Sequence, residues 1–234
     1  MTPQALAGLS LPAEHEWNPD VHTPHLIEAL GETLQMVAVT LVVGGTLGMV
    51  LGLVLYGTRS GGLLAHRLVY GVLNLLVNTI RPIPFIIFLT AVRPVTTAVV
   101  GTSLGTEAAT FPMIVMCVMA TSRIVEQSLL ASDPGIVEAA RAMGASRSHV
   151  LLRVLVPEAL APLVLGYAFL FVGILDMSAM AGTIGGGGLG DFALNYGYRQ
   201  YDDLVTWVAV AVMIVLVQIV QQVGNLLARL FLHR

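Results

Sequence analysis

From Thr33 to Thr58 the chain carries no charged side chain. The stretch from Met36 to Tyr56 within it is apolar enough to cross a bilayer as a helix, for which about 20 residues suffice. Four more stretches follow the same pattern: Leu68–Val92 is apolar except for Arg81, Leu104–Ser122 except for Glu107, Ala159–Ala181 except for Asp176, and Leu204–Ala228 is free of charge. Spans are therefore predicted at about 33–56, 68–92, 104–123, 159–181 and 204–228. The chain reads as an all-α integral membrane protein with five transmembrane helices and its ends on opposite sides. Only 11% of the residues are charged, against about 25% in a typical soluble domain, and mean hydropathy is +0.84. A water-soluble fold and a disordered chain are both excluded. A disulfide scaffold is excluded too, since Cys117 is the only cysteine.

All eleven basic residues are Arg. A chain without Lys cannot form a P-loop, whose Lys reaches the nucleotide phosphates. A net charge of −3, dispersed along the chain, does not suggest nucleic acid as a partner. The Arg residues are one-sided: Arg59, Arg67, Arg123, Arg141, Arg147, Arg153, Arg229 and Arg234 fall in the loops between spans one and two and spans three and four, or in the tail. The opposite side holds Arg93 and Arg199, and the segment before span one holds Glu14, Glu16, Asp20, Glu28 and Glu32. Loops rich in Arg are retained in the cytoplasm, which puts the N-terminus outside and the C-terminus inside. Residues 1–25 read as an extracytoplasmic extension of the membrane domain, 26–234, without the basic and apolar regions of a cleaved signal peptide.

The loop over 126–157 is long for a helical connection. Ser132-Asp133-Pro134 offers a polar cap with Pro at the first helical position, a short helix is predicted over 136–143, and Gly144 supplies a left-handed stop. Ser146 then caps a second helix running to Pro157. From periodicity alone the short helix either rests in the lipid interface or seats in a partner's groove. Inside span two, Arg81-Pro82-Ile83-Pro84-Phe85 breaks the helix. There the prolines predict a kink, and Arg81 either pairs with an acid of span four, Asp176 being the obvious one, or lines a path. After span four, Gly185–Gly190 formally matches a dinucleotide-binding glycine motif but follows a membrane helix where that motif needs a strand. The glycines predict irregular backbone that packs closely or forms a gate.

Glu138-Ala139-Ala140, then Gly144, then Val154-Leu155-Val156-Pro157 resembles the Glu-Ala-Ala loop of ABC-importer permeases, with Val where the pattern has Ile and Leu. Ser178-Ala179-Met180, Gly186–Gly190, Tyr196-Gly197-Tyr198 and Ile83-Pro84-Phe85 narrow the resemblance to the methionine-import subgroup of that family. The resemblance implies a type I ABC-importer permease fold. It implies a homodimer in the bacterial inner membrane with two cytoplasmic ATPase subunits and an extracytoplasmic substrate-binding protein. Methionine or a related amino acid would be moved inward by alternating access. It assigns Glu138, Ala139, Ala140, Arg141, Gly144 and Pro157 to ATPase coupling. No catalytic residue is implied and no cofactor in this chain, ATP and Mg being bound by the ATPase. For a path passing a zwitterion with an apolar tail, Arg81, Pro84, Met177, Ser178 and Met180 are the residues of choice. Pro82 and Asp176 depart from the subgroup's pattern.

Other features read plainly. Met113, Met116 and Met119 form a packing stripe, and His15, His22 and His25 are too irregularly spaced to predict a metal site. An ion-coupled secondary transporter using Arg81 and Asp176 is the alternative, disfavoured by the lack of an internal repeat. No catalytic constellation supports an intramembrane enzyme.

Overall fold

The computed structural model describes residues 17–232. Expectations for residues 1–16, including the reading of a signal peptide and any role of His15, and for Arg234, lie outside these. The described chain is helical and forms a membrane bundle. Helix α1 (Pro19–Thr58) begins well before the apolar run. Pro19 sits in its first turn, and the side chain of Asn18 accepts the Asp20 N–H at 3.1 Å. Span two is the broken pair α2 (Arg67–Ile80) and α3 (Phe85–Ala91), bent by 105°. The kink expected from the prolines is therefore a sharp bend. Pro82 and Pro84 contribute no N–H there, and Pro84 is extended, with ψ 132°.

Helices α4 (Arg93–Val100) and α5 (Thr106–Leu130) follow, then α6 (Pro134–Ala142). A composite helix, α7, covers 147–158 and contains a π turn over Val150–Leu155. Beyond it come α8 (Leu160–Gly182), the short α9 (Gly188–Phe192) and α10 (Asp203–Leu232). Among the described residues four helices are long and apolar enough to span a membrane, five with the bent pair counted as one span.

The second loop helix reaches Pro157 as expected and ends one residue beyond it, at Glu158. The wide turn before Pro157 absorbs the missing donor, and the break falls at Ala159. Two local expectations change. Arg123 belongs to α5 and not to the loop, because the helix continues to Leu130. The five-acid segment before span one is partly helical, since Glu28 and Glu32 lie on α1.

The centre of the bundle is the crossing of α1 on α5. Gly44, Gly48 and Gly52, spaced four apart on one face of α1, lie against Cys117, Thr121 and Val125 of α5. An added β-carbon would stand 2.8 Å from Cys117 Cβ at Gly44, 2.5 Å from Val125 Cβ at Gly52, and closer still to Thr121 Cβ at Gly48. With no hydrophobic drive between helices in lipid, small residues that let backbones approach supply the packing. Around this contact, Met36, Val37, Phe85, Leu89, Met113, Phe171 and Ile174 fill one core, and Tyr56, Leu129, Val150 and Leu163 fill a second near the α6 end.

A π turn over Thr40–Gly44 interrupts α1 and ends on the first glycine of this stripe. The Tyr167 hydroxyl donates to the nearby Gly45 carbonyl at 2.8 Å. Tyr167→Phe removes that donor without changing shape, and should lower the unfolding free energy by about 1 kcal/mol. Thermal unfolding of the detergent-purified protein measures it, and an unchanged midpoint would mean the carbonyl finds another donor.

Candidate functional site

Two places collect the residues of interest, the end of the bundle carrying α6 and the region where the bend, the end of α8 and the glycine segment lie. At the first, the Asp133 carboxylate accepts the Gly135 N–H at 2.9 Å and Pro134 opens α6. The helix closes at Gly144, whose φ of 81° is the left-handed conformation expected there. The Ala145 N–H reaches the Ala140 carbonyl at 3.1 Å and the Gly144 N–H reaches the Arg141 carbonyl at 3.0 Å, which is a Schellman closure.

The closure fixes which way the helix faces. Ala140 is buried against the bundle with Val125, Leu129, Val150 and Leu155, and Val137 packs beside it. Glu138, Ala139 and Arg141 are exposed, as are Gly144 and Pro157, and Met143 is 81% exposed. Thus Ala140 anchors α6 on its own chain while Glu138, Ala139, Arg141 and Met143 are presented outward. Between α6 and the end of α1 lies a cavity of about 250 Å³, with Tyr56, Arg59, Ser132, Glu138 and Arg141 in its walls. The Arg59 guanidinium lies over the Tyr56 ring at 4.3 Å.

At the second place, the predicted path residues do not form one lining. Arg81 and Pro84 are exposed at the bend, whereas Met177 packs against the central core and Ser178 is 1% exposed. Met180 faces a separate groove shared with Thr183, Leu194 and Tyr198. The Ser178 Oγ, buried beneath the glycine segment, has no hydrogen-bond partner. Arg81 and Asp176 do not meet. Both are exposed, and among the described residues the ion pairs are Arg123–Glu126 and His25–Glu28. The pairing that motivated an ion-coupled alternative is thereby overturned, because the 105° bend leaves Arg81 on the surface of the chain.

The glycine segment is a close-packed cap on α1 and α8. The Glu32 carboxylate accepts the Gly188 N–H at 2.6 Å and the Thr33 hydroxyl accepts the Leu189 N–H at 2.8 Å, so two side chains of α1 cap the start of α9. Gly188 has φ 80°, and a β-carbon there would stand 2.7 Å from Thr33 Oγ1 and 2.9 Å from Met36 Cε. Beside it a cavity of about 330 Å³ opens between His25, Glu28, Glu32, Asp191 and Tyr196. Sequence reasoning counted Glu32 only among the five acids that precede span one. It also passed over the four-residue glycine spacing of α1, which was there to be read. A third missed feature is Arg123, which donates to Glu126, to Asn74 and, at 2.7 Å, to Asn78 of α2. Its signal is an Asn pair four residues apart on an otherwise apolar span.

Comparison with known proteins matches residues 44–233 to the family described as binding-protein-dependent transport system inner membrane component. The probable D-methionine transport system permease protein MetI of Vibrio cholerae is 42% identical over 209 residues, covering 89% of this chain and 93% of that one. The methionine import system permease protein MetP of Bacillus subtilis is 35% identical over 212 residues, with 91% and 96% covered. A chain of the MetNI methionine ABC transporter, solved in inward-facing conformations, superposes with a TM-score of 0.88 at 36% identity, covering 92% of this chain and 99% of that one.

Proposed function

This chain belongs to the family of binding-protein-dependent transport system inner membrane components, and from that premise we propose that it is the membrane-spanning permease subunit of an ATP-driven ABC importer. It translocates methionine or a related amino acid inward by alternating access. It is a transport subunit and not an enzyme, hydrolysis belonging to a separate ATPase. The observation that carries the reading is α6, a short helix anchored through Ala140 and closed at Gly144, with Glu138, Arg141 and Met143 free for a partner. Placed in a groove of the ATPase, it is the coupling helix.

Two copies of the chain, two ATPase subunits and an extracytoplasmic binding protein make up the working assembly in the lipid bilayer. A two-fold pair is the simplest closed arrangement, and lipid or the second copy covers the apolar face that α10 exposes at Trp207, Ile214 and Ile219. ATP and Mg are held by the ATPase. The N-terminus lies outside and the C-terminus in the cytoplasm, the Arg imbalance persisting after Arg123 is moved into α5.

The test is uptake of labelled methionine into vesicles holding this chain, its ATPase and its binding protein. Uptake should require ATP and fall by more than about tenfold in a Glu138→Ala/Gly144→Val variant, since the left-handed closure and an exposed charge are lost together. Uptake indifferent to ATP and partners would defeat the importer reading. Full uptake by the variant would defeat the role of α6.

A further inference from the structure

We propose that Arg123 is a positioning residue that ties the broken second span to the α6 end of α5, so that movement of α6 reaches the Arg81–Pro84 bend. The proposal rests on the importer reading above. Arg123 lies in the last two turns of α5, whose end at Leu130 leads within four residues to Pro134 of α6. Its guanidinium donates to Glu126 on its own helix and to both Asn74 and Asn78 on α2, and the Asn78 amide donates in turn to Asn74 Oδ1 at 3.3 Å. The side chains of Arg123 and Glu126 are 12% and 6% exposed. Asn78 stands three residues before Arg81, so whatever holds Asn78 holds the approach to the bend.

Little else on α2 is directional. Val77 is buried against Leu55 and Met119, while Leu68, Val72, Leu75 and Leu76 are exposed. Apolar contacts of that kind allow one helix to slide or roll on another. A planar guanidinium fork engaged with a carboxylate and two amides fixes distance and orientation together. Arg123 and Glu126 are nearly buried, so opening their pair would leave a charge uncompensated and the guanidinium stays fixed on α5. From there it reaches half-buried Asn74 and exposed Asn78 on α2. α2 therefore follows α5, and α5 is continuous with the segment that carries α6.

The test uses the complete transporter in vesicles and reads methionine moved per ATP hydrolysed. Asn74→Ala/Asn78→Ala cuts the link between helices yet leaves the Arg123–Glu126 pair whole. It should lower that ratio by about fivefold to tenfold, a coupling loss of the size seen for network residues, with hydrolysis and complex yield retained. Adding Arg123→Leu/Glu126→Leu, which removes both charges with no orphan, should lower it no further. Asn74→Ala alone keeps the 2.7 Å bond to Asn78 and should fall between, supplying a readout should the double variant fold poorly. An unchanged ratio, or uptake and hydrolysis falling in parallel, would overturn the proposal. Failure of the importer reading itself would appear separately, as no ATP-dependent uptake by the unsubstituted complex.

Discussion

Gly48→Leu is expected to prevent the bundle from assembling. A β-carbon at Gly48 meets Thr121, and it would stand 2.9 Å from the Val118 carbonyl oxygen, which is backbone and cannot rotate away. Overpacking a core costs about 1–3 kcal/mol when side chains can shift. Here two helix axes must separate along the contact that also seats Gly44 and Gly52, so a loss of about 3 kcal/mol or more is expected. Purified yield and the unfolding midpoint in detergent report it. Gly31→Leu is the control, because on the same helix nothing lies within 4 Å of its added β-carbon. Equal behaviour of the two variants would show that α1 and α5 do not cross as described.

Gly188→Val should abolish uptake while leaving the ATPase bound. The residue sits at φ 80°, where a β-branched side chain costs about 1–2 kcal/mol in backbone energy alone. The new side chain also pushes on Thr33 and Met36, the α1 residues that pack at the start of α9. Because this cap lies at the opposite end of the bundle from α6, co-purification with the ATPase should persist as methionine uptake falls by more than about tenfold. Dissociation of the ATPase, or uptake within twofold of normal, would contradict the separation of the two ends.

How much of this was legible in the sequence depends on the range of the interaction. The spans were, since a helix in lipid satisfies its own backbone and announces itself by apolar length. So was the closure of α6, because Asp133, Pro134 and Gly144 act within a turn of where they stand. Arg123 was misplaced, since an Arg beside a polar loop looks solvated until Asn74 and Asn78, nearly 50 residues earlier, are brought against it. The imagined pairing of Arg81 with Asp176 failed for the matching reason. Prolines foretell a break but not its angle, and 105° turned the guanidinium outward. What Met177, Ser178 and Met180 each meet was equally out of reach. Met177 and Met180 stand three apart on one face of α8 with Ser178 turned from them, and their neighbours in the core, the glycine segment and the groove by Tyr198 are brought to them only by the fold.

The glycine face of α1 has a consequence for biosynthesis. Gly48 finds Thr121 only after more than 70 further residues have been made, with the whole of the bent second span and α4 inserted between them. During that interval α1 stands in the bilayer with its grooved side unfilled, available to any other small-residue helix nearby. A nascent chain halted before Leu130 would therefore offer that groove to foreign helices or to membrane quality control. Its lifetime in the cell should be set by how soon α5 arrives.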